Sequence, residues 1–253
     1  MRRRILFALS FVITAVVSTV TFIDPALAQN ISIDLGQGAD GTVTGRLVQI
    51  VALLTVLSLA PSILIMMTSF TRIIVVLSFM RTAIGIQQTP PNTVMISLAL
   101  FLTFFIMAPT LKSAYEEGIT PLINEEIEEV EAFERTTVPF KRFMLKHTRD
   151  DDLELFVELS ESGSYDQKMD IPLHIVIPSF MISELRRAFE IGFMLFLPFL
   201  IIDLVTASIL MSMGMMMLPP VTVSLPFKII FFVLVDGWHL LSGSLIQSFT
   251  VLN

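Results

Sequence analysis

The residues of this 253-residue chain able to do chemistry are few, and three of them stand in apolar company. Asp203 lies in LPFLIIDLV (197–205), and Lys228 and Asp236 lie in LPFKIIFFVLVDGW (225–238). An unpaired charge at the middle of a bilayer costs about 2.5–3.5 kcal/mol on insertion scales, so such groups should face protein or water. Two chemistries follow: a carboxylate pathway for protons or ions, or an interhelical salt bridge that holds an assembly together. A proton relay needs a chain of ionisable groups, whereas Asp203 and Lys228 need only each other and form the preferred pair. Lys228 and Asp236, eight residues apart, fall on one helical face.

Methionine supplies a different chemistry. The run MSMGMMM (211–217) ends at Pro219-Pro220. Methionine is unbranched, flexible and apolar, so it fills irregular gaps and re-packs easily. A ring of such side chains from several subunits would make a deformable seal; the alternative is lipid-facing or core packing.

Catalytic constellations are missing. No G-x-S-x-G, H-E-x-x-H or G-x-x-x-x-G-K-[ST] pattern occurs. Glu184 and Arg187 have the spacing of an ordinary i,i+3 helical pair, beside Arg186 and Glu190. His147, His174 and His239 lack metal-ligand spacing, and with no cysteine there is no thiolate site or disulfide. No cofactor is expected. The net charge of −7 argues against nucleic acid, whose binding needs a basic surface to displace counterions.

The elements that must position these residues are greasy. Hydrophobic residues make up 54% and charged residues 15%, where a soluble domain carries about 25% charged, and mean hydropathy is +0.79. Residues 112–171 hold 7 basic and 16 acidic residues, a net of −9, which leaves +2 for the rest of the chain. An acidic, water-facing insert thus interrupts apolar arms. Arg2-Arg3-Arg4, the apolar run 5–22 and Ala26-Leu27-Ala28 read as a signal peptide (1–28) cleaved between Ala28 and Gln29, the alternative for so long an apolar run being an uncleaved anchor, and 29–45 reads as a flexible leader.

The expected fold is all-α, an integral membrane protein of four long hydrophobic helices. Two kinked hairpins, 46–111 and 178–253, flank a helical insert over 112–177. The apolar stretches are 47–70 (continuing to residue 80), 93–108, 191–213 and 221–251, each long enough or nearly so to span about 30 Å. Pro61, Pro109 and Pro198 should bend them, and Pro90-Pro91 and Pro219-Pro220 should lie outside regular helix. The 72–88 link, with two arginines and no acid, belongs on the cytoplasmic side. The insert then falls outside, in agreement with the signal peptide. Within it, helix is expected over 121–133, 140–147 and 151–159, with a polar loop over 160–168.

Several long motifs in order resemble the FliP/SctR family of type III secretion export gates. They are TSFTRIIVVLSF (68–79), QQTPPN (87–92), FLTFFIM (101–107), PSFMISELRRAFEIG (178–192), PFLIIDL (198–204), GMMMLPP (214–220) and LPFKIIFFVLVDGW (225–238). The resemblance covers most of 46–249 except the acidic insert. It implies a channel subunit of the flagellar export gate, a pentamer joined by FliQ and FliR, passing unfolded rod, hook and filament proteins. FlhA and FlhB belong to the larger apparatus, in the inner membrane at the flagellar basal body, partly periplasmic and driven mainly by proton-motive force with an associated ATPase. The family's gasket maps onto Met215, Met216 and Met217, and Asp203, Lys228 and Asp236 match positions with an assembly role. The assembled family hairpins sit largely above the bilayer plane. Virulence relatives typically lack a cleavable signal, so 1–28 favours the flagellar branch. The competing class is a proton or ion channel using Asp203, Asp236 and Glu190. A membrane-embedded enzyme would lack a recognisable nucleophile or metal set.

Overall fold

The computed structural model describes residues 43–86, 88–160, 165–215 and 217–250. The signal segment with Ala28 and Gln29, nearly all of the leader, and Met216 lie outside the described residues. The chain divides into units 1–53 and 54–253; the first contributes, among the described residues, only helical positions 43–53.

Every regular element among the described residues is helical. They are α1 (Val43–Met66), α2 (Phe70–Ile84), α3 (Asn92–Ala114), a π-helical turn (Tyr115–Ile119), α4 (Thr120–Ile123), α5 (Glu129–His147) and α6 (Asp150–Leu159). A 3-10 turn (Lys168–Asp170), α7 (Leu173–Ser212), α8 (Pro220–Leu234) and α9 (Gly237–Thr250) follow. Among the described residues, two helical runs are long and apolar enough to cross a membrane, 92–123 and α7, or three if the bent pair α8–α9 counts as one span.

The all-α expectation stands, with breaks in other places. The first apolar stretch is divided at 67–69, and α1 runs through Pro61. Pro109 lies inside α3 and Pro178 and Pro198 inside α7. At 40 residues, α7 extends about 60 Å at 1.5 Å per residue. The fourth stretch bends by 63° between α8 and α9. Pro90-Pro91 lie ahead of α3 as expected, whereas of the second pair only Pro219 lies outside the helix and Pro220 opens α8, a first-turn position whose missing N–H costs no intrahelical bond.

α2 is the hub. Its buried positions Arg72, Ile73, Val76, Leu77, Met80, Ala83 and Ile84 form one stripe at helical spacing. That stripe packs with Met95 and Ala99 of α3, Ala188 and Phe199 of α7, and Leu241, Leu245 and Phe249 of α9. Gly85 ends α2 in the left-handed conformation (φ 91°), its N–H donating to the Thr82 carbonyl at 3.1 Å, a conformation glycine adopts at no steric cost. A second cluster, Met144, Leu153, Ile171, Ile175, Val176 and Phe180 with Met67, docks α5 and α6 on the first half of α7.

In the acidic segment the expected helix over 121–133 is split, with Glu125 at φ 58° between α4 and α5. Glu125, Glu126, Glu128 and Glu129 crowd like charge at one place, which disfavours a continuous helix. The expected turn at 140–147 is the end of a longer α5 that holds Pro139 in its interior. α6 starts at Asp150-Asp151-Asp152, matching the preference of a helix N-terminus for negative charge. α5 returns antiparallel along α3. A side chain at Gly118 would meet Thr136 Oγ1 at 2.0 Å, Phe140 shares an apolar cavity wall with Met107 and Leu111, and Phe143 and His147 line another cavity together with Phe105 and Ile106.

Candidate functional site

Two buried ionic knots and one exposed turn carry the chemistry of this chain. The first knot joins Asp203 of α7 to Lys228 of α8. Lys228 Nζ donates to Asp203 Oδ2 at 2.6 Å and to the Ala83 carbonyl of α2 at 3.2 Å. Ser224 Oγ donates to Asp203 Oδ1 at 2.5 Å. The lysine side chain is 4% exposed and the aspartate 27%, so the ammonium is the group that depends on the pair. Its contact with Ala83 also lies in the last turn of α2, where helix carbonyls favour a cation. Helical spacing explains the knot: Ser224 and Lys228 are one turn apart on α8 and present two donors to one carboxylate.

Asp236 takes no part. The expectation that it shares a helical face with Lys228 fails, because α8 ends at Leu234 and Asp236 sits exposed in the bend at φ 51°. Gly237 follows because the Phe232 ring stands 2.2 Å from where its Cβ would be. That close approach turns the chain and sets Phe232 edge-on to Trp238 at 5.5 Å.

The second knot was not foreseen from spacing. Arg72 on α2 and Glu184 on α7, both wholly buried, pair through two contacts, Nε to Oε2 at 2.8 Å and Nη2 to Oε1. Arg72 Nη1 also donates to the Ser248 carbonyl at 3.1 Å and to Ser248 Oγ at 3.0 Å, and its guanidinium lies 3.7 Å over the Phe249 ring. One arginine thus ties α2, α7 and α9 together. Bidentate, charge-assisted geometry of this kind is the strong form of the hydrogen bond.

Two expectations are corrected here. Glu184 pairs with Arg72 rather than Arg187, and the i,i+4 neighbours Arg186 and Glu190 pair on the exposed face at 3.3 Å. Arg72 is buried inside the fold and so carries no weight as a surface cation orienting the chain. The signal that finds it is the one used for Asp203: a charge inside an apolar helical run, TSFT-R-IIVVLSFM.

Close by, α6 is fastened to α7. Ser183 Oγ donates to Asp152 Oδ2 at 2.6 Å and accepts the Arg149 backbone N–H at 3.0 Å. His147, at the end of α5, is 2% exposed and packs between Phe143 (4.7 Å) and Phe249 (5.2 Å). Its Nδ1 is buried without a hydrogen-bond partner. Burial first, then the charges of Arg72, Lys146 and Arg187, push its pKa down from 6.5 to about 3. The folded state therefore binds fewer protons than the unfolded chain between these values. Stability from neutral His147 is fully present above pH 6.5 and is lost as pH falls toward 3. From pH 7.5 to pH 5 the protein should lose about 2 kcal/mol, a loss absent from His147→Phe, as read by unfolding in mild detergent.

The methionine turn joins α7 to α8. Gly214 (φ 73°) closes α7, its N–H donating to the Met211 carbonyl at 3.1 Å, and Met215 N–H returns to the Leu210 carbonyl at 3.0 Å. Met211, Met213 and Met215 are exposed, and Met217 is 98% exposed. Among the described residues no group of three or more histidines, aspartates and glutamates is arranged to hold a metal ion.

The FliP family model matches residues 53–245. The chain is 61% identical over 225 residues to the flagellar biosynthetic protein FliP of Caulobacter vibrioides, covering 88% of this chain and 84% of that relative. Against the protein of the same name from Bacillus subtilis the identity is 55% over 217 residues, 86% of this chain and 98% of the relative. Against that of Aquifex aeolicus it is 54% over 204 residues, 80% and 85% respectively.

Proposed function

This chain belongs to the FliP family, and from that premise we propose that it is a core channel subunit of the flagellar protein export gate. Several copies, five by family likeness, surround one conduit in the inner membrane at the flagellar basal body, with FliQ and FliR completing it and FlhA and FlhB in the larger apparatus. Unfolded flagellar proteins pass along the shared axis. The acidic segment stands on the extracytoplasmic side, and the signal segment is removed between Ala28 and Gln29.

The observation that carries this function is the methionine turn. Large flexible apolar side chains are held out from the subunit at a fixed glycine-closed corner, with Met217 at 98% exposure. A lone subunit spends nothing on covering them; a ring of such turns packs side chain against side chain. Met215, Met216 and Met217 then form a gasket that closes when the conduit is empty and yields to a passing chain. The exposed apolar row of α7, including Phe193, Met194, Ile201 and Leu204, is the surface such neighbours or lipid would cover.

The test is replacement of Met215, Met216 and Met217 together by alanine. The expected outcome is a gate that leaks small solutes while still exporting flagellar protein, read by solute influx and secretion assays in the same cells. Unchanged permeability would remove the gasket role.

A further inference from the structure

A cleft of about 450 Å³ opens where α4 turns back into α5. Leu122, Ile127 and Val130 give it apolar walls, and Glu125, Glu128 and Glu129 stand around them. The turn has a defined shape. Glu125 sits in the left-handed region at φ 58°. Its N–H donates to the Leu122 carbonyl at 3.1 Å, and the Glu126 N–H donates to the Pro121 carbonyl at 2.9 Å. On the other side α5 is pressed against the π-helical turn, where a side chain at Gly118 would come within 2.9 Å of the Ala132 carbonyl. The cleft is therefore preformed, which lowers the ordering cost of filling it. Its charges are unanswered within the subunit. Between residues 116 and 134 the chain holds eight glutamates and no lysine or arginine. The flanking cations are engaged elsewhere, Lys112 with Glu116 at 3.7 Å and Arg135 with Glu131 at 2.5 Å. Beside the cleft, Ile123, Val130 and Phe133 are all exposed, a group of large apolar side chains on an otherwise polar tip.

We propose that this cleft docks a basic, apolar segment of another polypeptide, one lysine or arginine laying its stem along Leu122, Ile127 and Val130 and its head among the three carboxylates. Long cationic side chains suit such a seat, since their methylenes cover apolar surface while the charge stays at the wet rim. Ile123 and Phe133 extend the contact to apolar neighbours of that cation. Charge decides against the other occupants. The same tip of a second copy would bring eight more glutamates, and like charge facing like opposes docking. Residues 29–42 of this chain carry Asp34 and Asp40 and no lysine or arginine. An anionic membrane surface attracts basic segments, not acidic ones. A divalent cation has no set of three acidic side chains arranged for it among the described residues. The inference rests neither on the methionine turn being a gasket nor on where the membrane lies.

The test has two arms. In cells, p-benzoylphenylalanine in place of Phe133 should crosslink to another polypeptide, and mass spectrometry should map the contact to a segment with lysine or arginine between apolar residues. Glu125→Gln, Glu128→Gln and Glu129→Gln together should remove that crosslink while the complex still assembles, because all three side chains are exposed. In the second arm the full chain, purified with its co-produced partner subunits in an uncharged detergent, is titrated with a fluorescent alanine-based helical peptide bearing lysine and leucine on one face. Control peptides carry glutamate, or the shorter-stemmed diaminobutyrate, in place of lysine. The triple variant should bind the lysine peptide about tenfold more weakly, the effect of three partly screened ion pairs, while uptake by detergent is the same in both titrations. The lysine peptide should bind more tightly than either control, and Val130→Ser should narrow its advantage over diaminobutyrate. A crosslink or peptide affinity undiminished in the triple variant, no advantage of lysine over glutamate, or full displacement of the peptide by calcium would each overturn the proposal. Capture of lipid or of a second copy, or no capture at all, would do the same.

Discussion

Glu184→Ala should destabilise the protein by about 3–5 kcal/mol, because it strands the Arg72 guanidinium, which is wholly buried, without its counter-charge. The three remaining contacts of Arg72, two to Ser248 and one to the Phe249 ring, are neutral and do not discharge it. Arg72→Ala should cost a similar amount by stranding Glu184. The pair Arg72→Met with Glu184→Leu should recover most of either loss, since a well-packed apolar pair replaces a buried ionic one at little net cost. Ser248 stays satisfied in that variant through its own bond to the Leu245 carbonyl at 2.7 Å. Denaturant titration in mild micelles checks all three. A loss below about 1 kcal/mol for Glu184→Ala would mean the knot is not what fixes α2, α7 and α9 together.

The second large effect is expected at Asp203. Asp203→Ala removes both the carboxylate that neutralises Lys228 and the acceptor for Ser224. The loss of charge-assisted bonds should cost about 1.5–3 kcal/mol. The greater consequence should be for assembly, since α8 would no longer be held against α7 and α2 and the turn between them would lose its fixed presentation. Size-exclusion chromatography of the complex should show it reduced at least about tenfold, as 1.4 kcal/mol per decade implies. Lys228→Met added to Asp203→Ala should restore part of it. A complex of normal size and yield in Asp203→Ala would overturn the assembly role.

How much of this was legible beforehand depends on the range of the interaction. Hydropathy marked the apolar arms and the acidic segment, because both are properties of composition over tens of residues. The prolines at 90–91 and 219–220 marked breaks between helices, because a proline pair acts on its own backbone. Asp203 with Lys228 was accessible because each is conspicuous in apolar sequence and few partners compete. Arg72 with Glu184 was not, since a nearer local pairing, Glu184 with Arg187, satisfied the spacing rule, and 112 residues separate the true partners. The break at Asp236 was hidden for a related reason. It accompanies a Phe232 ring that fills the space a side chain at residue 237 would need, a packing relation that periodicity does not encode. The continuity of α7 through Pro178 and Pro198 shows the reverse: packing on α2, α6 and α8 outweighs two local helix breakers.

The Asp203–Ser224–Lys228 contact has a mechanical corollary. It pins the two legs of the α7–α8 corner at their base, about 13 Å of helix below the end of α7 at Ser212 and about 6 Å from the start of α8 at Pro220. Anything pushing on the tip therefore bends a short stub against a fixed footing. Under the proposed gasket role, movement would be confined to the residues beyond the pin, and the tips could part while the frame around them keeps its shape.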